Sequence, residues 1–276
     1  LAVARNFRSV VWMARLALRS GVLINNIFGG NTMVRVTKGL KKVISTFPLW
    51  SNHMQKPPLL SLLSNERSGS SRANQTVVYF PACITRMMGT YPGREKNLMD
   101  TLMSICYKSG IDVIVPPDIK GSCCGQIFSS KGFKPAYHYT ANKIVSQLWQ
   151  SSDEGRFPIV IDVTSCAFTL HKLRAALDGE NQGRFDRLTI LDSVDFLHDM
   201  VFPKVKISTL KKNIVLHPVC SLQKMKTEDK FLRVARMLAA EVTVPRNAGC
   251  CGMAGDRGFL FPELTHSASL PEASEV

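Results

Sequence analysis

Residues 1–65 contain no aspartate or glutamate, and the first acid is Glu66. Nine of the lysines and arginines stand in that stretch, so it supplies most of the net charge of +14 and leaves +5 for the remainder. Other absences narrow the reading. No run of 18 uncharged apolar residues exists, which excludes a helix that spans a membrane. The N-terminus lacks the short charged region, unbroken apolar core and cleavage site of a secretory signal, so disulfides lose their usual oxidising setting. No Ser/His/Asp set and no paired carboxylates occur, and hydrolytic chemistry has no support. The basic charge comes without aromatic interleaving or a recognised motif, so nucleic acid is not the expected partner. Cys-x-x-Cys is missing too, although the chain has eight cysteines. Zinc ribbons and knuckles are built on that spacing.

What the cysteines do form is a repeat. The first copy reads Tyr79-Phe80-Pro81-Ala82-Cys83, then Gly121-Ser122-Cys123-Cys124-Gly125. The second reads Leu216-His217-Pro218-Val219-Cys220, then Ala248-Gly249-Cys250-Cys251-Gly252. The lone cysteine and the pair are 40 residues apart in the first copy and 30 in the second. Self-similarity on this scale marks a repeated structural unit.

The intervening segments match as well. Ile111-Asp112-Val113-Ile114-Val115-Pro116 and Ala240-Glu241-Val242-Thr243-Val244-Pro245 both read as short strands ended by proline, which cannot continue a ladder. The lone cysteines follow strands at 76–80 and 213–216. Leu98, Leu102 and Ile105 recur at helical spacing, as do Phe231, Val234 and Leu238. Each copy is therefore a βαβ-type unit, whose crossover favours a parallel sheet. A helix over 135–149 leads to a further strand at 157–163 and then to Cys166. The predicted class is α/β: two repeated units with parallel sheets, preceded by a basic helical segment. The expected organisation is a basic connector at 1–63, a Ser-rich linker at 64–75, a first cysteine unit at 76–205 and a second at 206–276. The polar stretch 178–183 marks a weaker boundary. The equivalent of Cys166 in the second copy is expected beyond residue 276, and the chain reads as a fragment at both ends.

All these cysteines fall just past the carboxyl ends of strands, where open α/β sheets hold ligands. Three uses compete. Structural disulfides are disfavoured in a chain long enough to bury a sound core, and adjacent cysteines pair poorly. A zinc site can use four thiolates. An iron–sulfur cluster takes thiolates as its usual ligands and gains from backbone N–H groups near its sulfides.

The pattern resembles the cysteine-rich "CCG" domain, found duplicated in the B subunit of heterodisulfide reductase and in the iron–sulfur subunit of glycolate oxidase. The stretches 80–89, 162–170 and 249–258 look closest to the C-terminal region of bacterial FAD-linked D-lactate dehydrogenases, and Phe47-Pro48-Leu49-Trp50 is similar to the connector that precedes it there. This resemblance implies an iron–sulfur electron carrier of the 4Fe-4S type. It implies Cys83, Cys123, Cys124 and Cys166 as ligands of a first site, and Cys220, Cys250 and Cys251 as part of a second. FAD would sit on a portion outside this chain, in the same polypeptide or complex. Electrons would pass to a respiratory quinone or cytochrome, with the protein cytoplasmic and peripheral to the inner membrane. The family motif closes with Cys-x-x-Cys; here Thr169 stands where its last cysteine would be. That implies four thiolates rather than the five of a heterodisulfide-type site. Alternative readings are a thiol/disulfide reductase subunit of that type, or a zinc-stabilised docking module.

The basic segment forms an amphipathic helix at about 100° per residue. Arg5, Arg8, Arg15 and Arg19 lie on one face, with Val3, Phe7, Val10, Ala14, Ala17 and Leu18 opposite. It packs its apolar face on a neighbour or lies on an anionic membrane surface. Cys106 reads as a core thiol. Arg86 is either a counter-charge for the cysteine site or a solvated loop residue. His217 is either a satisfied strand histidine or a tuning group, while His138 and His198 are surface or packing residues. Asp256 and Arg257 pair with each other or simply form a turn.

Overall fold

The computed structural model describes residues 1–60, 75–90 and 96–276. The linker expected at 64–75 lies outside the described residues except for Gln75, which already belongs to a strand. The first unit is built on a four-stranded parallel sheet of β1 (Gln75–Phe80), β2 (Ile111–Ile114), β3 (Ile159–Ile161) and β4 (Ile190–Asp192), in the order β2-β1-β3-β4. The register aligns Gln75 with Ile111, Val78 with Ile159 and Ile159 with Ile190. β1 and β3 are buried on both faces, as a parallel sheet covered by helices requires. Val77, Val78, Tyr79 and Phe80 are all fully enclosed, as are Ile159, Val160 and Ile161. Helix Leu98–Lys108 crosses from β1 to β2, and helix Lys134–Ser151 leads toward β3. The latter opens with proline in its first turn, where no N–H is needed.

Two sequence expectations change here. The polar stretch 178–183 is no boundary. Asp178 caps the helix Gly179–Phe185 by accepting from the Asn181 N–H, and that helix belongs to the first unit. β4 was absent from the expected strands because its apolar run is only Ile190-Leu191, followed at once by an acid.

The second unit pairs β5 (Leu210–Val215) with β6 (Ala239–Thr243), again in parallel, joined through helices Cys220–Met225 and Glu228–Leu238. Val194 of the first unit packs with Leu222 and Val234 of the second. At the rim of that contact, Lys230 Nζ donates to Asp195 at 2.7 Å and to Asp199 at 2.6 Å.

The N-terminal helix Phe7–Phe28 packs on the first unit with a stripe that overlaps the expected one, Phe7 being buried and Val10, Ala14 and Leu18 half-buried. Ala4, Phe7 and Val11 are buried, whereas Val3 is 51% exposed. The buried positions 4, 7 and 11 and the half-buried positions 14 and 18 keep regular helical spacing through Asn6, so the expected stripe differs by one residue at its edge and not in phase. Arg15 is not a solvated arginine: it donates to the carbonyls of Arg86 and Pro58. The outer face carries a second apolar stripe of Trp12, Leu16, Leu23 and Ile27, each at least half exposed. No helix among the described residues is long and apolar enough to cross a membrane.

Candidate metal centre

The strand order fixes where the cysteines can meet. From β1 the chain crosses to one neighbour, β2, and from β2 it crosses back over β1 to β3. Loops leaving β1 and β3 thus diverge and open a crevice at their carboxyl ends. Pro81 and Ala82 follow β1, and Cys83 begins the short helix Cys83–Met87. Asp162 follows β3, and helix Thr164–His171 carries Cys166. Beyond β2, a 3-10 turn at Ile119–Gly121 brings in Cys123-Cys124-Gly125. Gly125 adopts φ 86°, a left-handed conformation that glycine takes at no steric cost, and so starts helix Gln126–Ser130.

These loops gather four of the predicted ligands. Cys124 Sγ lies 3.2 Å from Cys166 Sγ. Cys123 touches Cys124 on one side and Cys83 on the other. The Gly125 N–H donates to Cys123 Sγ at 3.4 Å. Cys123, Cys124 and Cys166 are buried and Cys83 is half-buried. The crowding moves their proton affinities. The hydrogen bond with Cys123 and then burial push the Cys83 thiol up. Cys123 is pushed up to about 12, chiefly by Cys124. At Cys124 the contact with Cys123 acts downward, but Cys166 and complete burial outweigh it. Metal ligation requires thiolates, so a soft metal group would displace these protons on binding. No three of the described His, Cys, Asp and Glu side chains surround a single point that would hold one metal ion. The sulfurs instead form a row of contacts drawn from three loops. Four soft donors so arranged fit the thiolate chemistry of an iron–sulfur group.

Three further residues frame the row. Arg86, expected as either a counter-charge or a solvated loop residue, has no solvent exposure. It donates to the carbonyls of Pro81, Ile119 and Ser122, tying the loop after β1 to the segment before Cys123. Asp162 accepts from the Ala82 N–H at 2.9 Å and from the Tyr79 hydroxyl at 2.7 Å, fixing the loop that presents Cys83. Burial raises the Asp162 carboxyl above its usual range, against those hydrogen bonds. Tyr79 is raised likewise, first by burial and then by Asp162. Neither residue was picked out in the sequence; an acid ending a buried strand just before Thr-Ser-Cys was the available signal. Thr169 is buried, and its hydroxyl is committed to the Ser165 carbonyl at 2.8 Å. Cys106 is a buried core thiol in helix Leu98–Lys108.

The second copy is arranged differently. Cys220 starts helix Cys220–Met225, Cys250 and Cys251 lie in a loop, and all three are exposed. Helix Pro262–Glu275 holds the two loops from one side. Glu275 accepts from the Arg246 and Asn247 N–H groups at 2.7 and 2.9 Å. Glu272 meets His217 Nδ1 at 2.6 Å. His217 lies beyond the strand rather than in it, and its Nε2 is buried without a partner. Asp256 pairs with Lys131 of the first unit at 2.9 Å rather than with Arg257. His198 meets Asp199 at 2.6 Å and accepts from Arg233.

The family comparison agrees with the repeat. A family model described as the cysteine-rich domain, CCG, matches residues 77–171 and 214–266, more than half of the chain. No curated protein matches it. With its two matched segments, its parallel sheets and its duplicated Cys-Cys-Gly loops, this chain belongs to the CCG cysteine-rich domain family.

Proposed function

We propose that this chain is the iron–sulfur electron-transfer module of an FAD-linked D-2-hydroxy-acid dehydrogenase acting on D-lactate. The redox character follows from membership of the cysteine-rich family. The observation that supports a cluster in this chain is the convergence of Cys83, Cys123, Cys124 and Cys166 at one sheet edge, and the flavin and D-lactate rest on the sequence resemblance. Those four side chains would hold the cluster. When bound, an iron–sulfur cluster supplies one-electron transfer at a potential the protein tunes. The chain's own residues define the environment: the Gly125 N–H points at a ligand sulfur, Asp162 fixes the Cys83 loop, and burial keeps water from three of the four thiols. Cys220, Cys250 and Cys251 belong to the second site in this reading. The donor would be a flavin domain in the same polypeptide or complex, and the acceptor a respiratory quinone or cytochrome. The exposed Trp12, Leu16, Leu23 and Ile27 supply a surface against which such a flavin domain can pack.

Anaerobic iron and acid-labile sulfide analysis, with visible and EPR spectra, tests this on the protein and on Cys83→Ser, Cys124→Ser and Cys166→Ser. Iron and sulfide in matching amounts, lost in the variants, and bleaching by D-lactate in the presence of the flavin partner are expected. Zinc without a chromophore would sink the electron-transfer role and leave a docking module.

A further inference from the structure

Arg86 brings a full positive charge into the interior with no carboxylate to meet it. Among the described residues, no acid lies within ion-pairing distance of its guanidinium. Its donors are spent on three backbone carbonyls, which offset the charge only as dipoles. Asp162 lies near enough to act on it through space, but its oxygens are bonded to Tyr79 and Ala82. The other groups able to carry negative charge toward it are the sulfurs of Cys83, Cys123 and Cys166. A buried cation is costly unless paired, and these sulfurs are the natural partner once they are deprotonated on a metal group.

We propose that Arg86 is the counter-charge of the first cysteine site and raises the reduction potential of the group those cysteines bind. This inference rests on the cluster reading above. The reasoning is electrostatic. Reduction adds one electron, and hence one negative charge, to a poorly solvated site. A fixed cation beside the ligand sulfurs stabilises the reduced form more than the oxidised form, since net charge is one of the protein's levers on such potentials. The electron comes from an external one-electron donor. Arginine stays protonated in both redox states, so no proton enters or leaves at this residue. The three carbonyl contacts make Arg86 a positioning residue as well, because they hold the charge against the loops that present Cys83 and Cys123.

The test is a dithionite titration followed by EPR on the reconstituted protein, its Arg86→Gln variant and its Arg86→Lys variant. The potential of Arg86→Gln is expected to fall below that of the wild type, with Arg86→Lys nearer the wild type at neutral pH. Lysine also supplies a switchable charge, since a buried ammonium loses its proton more readily than a guanidinium. The potential of Arg86→Lys is therefore expected to drop as pH rises, with no such drop in the wild type. That comparison carries the test if Arg86→Gln does not fold. A folded Arg86→Gln protein that loses iron and sulfide while Arg86→Lys keeps them also supports the counter-charge. An intact cluster at the wild-type potential in Arg86→Gln, or a pH-independent wild-type potential in Arg86→Lys, overturns it. So does loss of the cluster from both folded variants, since shape rather than charge would then decide. A wild-type protein holding no iron and sulfide overturns the electron-transfer reading and this one with it; an unmoved potential overturns this one alone.

Discussion

The glycines that follow the two Cys-Cys pairs invite a matched substitution. Gly125 and Gly252 share a left-handed backbone, with φ 86° and 68°. Alanine at either position pays about 1–2 kcal/mol for that conformation. Their surroundings then separate them. A Cβ on Gly125 would stand 3.1 Å from Tyr137 Cδ2, the edge of a ring that can yield by tenths of an ångström. A Cβ on Gly252 would collide with the Leu264 carbonyl oxygen and lie 2.8 Å from its carbon, with Ala268 Cβ at 3.0 Å. Those atoms belong to helix Pro262–Glu275, which must move as a body. Overpacking of that kind adds roughly 1–3 kcal/mol. Gly125→Ala should therefore cost about 1–2 kcal/mol and Gly252→Ala about 2–5 kcal/mol. The ranking runs against exposure, since the Gly252 loop is the more open of the two. Urea melts followed by ellipticity give the global costs, and amide exchange across 262–275 locates the second one. Equal costs, or a larger one at Gly125, would refute the reasoning.

Tyr79→Phe removes a buried donor to Asp162 and should destabilise by about 1–3 kcal/mol in a thermal or urea melt, while Tyr107→Phe, at an exposed ring, should change little. Asp162 titrates higher folded than unfolded, so its contribution is fully present below the ordinary Asp pKa and is lost as pH rises through the raised folded value. Asp162→Asn should flatten that acid-side decline in a melt series across pH, and an unchanged slope would count against the assignment. In the metal-free protein at pH 8, iodoacetamide followed by mass spectrometry should label exposed Cys220, Cys250 and Cys251 well before buried Cys106, Cys123, Cys124 and Cys166. Lys230→Met strands Asp195 and Asp199 at the junction of the units, and a loss of about 0.5–1 kcal/mol that shrinks in high salt is expected from urea melts.

The parallel units were legible because their signals are local. Proline after a Val-rich run ends a strand whatever surrounds it, and the duplicated Cys-Cys-Gly gave the register of the comparison. The convergence at Cys166 was legible for a related reason: parallel strands send all their carboxyl ends to one edge. What escaped was decided by distant partners. Arg86 stands in a five-residue helix with no pattern of its own, and its burial depends on carbonyls 33 and 36 residues further along the chain. The edge of the inward stripe of the N-terminal helix, Ala4 and Val11 rather than Val3 and Ala17, is set by the surface it packs on, which hydrophobic spacing does not register. The exposed state of Cys220, Cys250 and Cys251 was hidden because the lone cysteine and the Cys-Cys-Gly read the same in both copies.

The N-terminal helix has one more consequence. Phe7 meets the Phe128 ring edge-on at 6.4 Å, the Arg8 side chain covers Gly121, and Ala4, Phe7 and Val11 share one apolar cluster with Cys123 and Cys124. The basic segment is thus a wall of the cysteine chamber as well as an outer surface. A protease that trimmed the first two dozen residues would do more than shorten the chain. It would unroof a shielded thiol row and convert an inert site into one open to alkylating agents and oxygen.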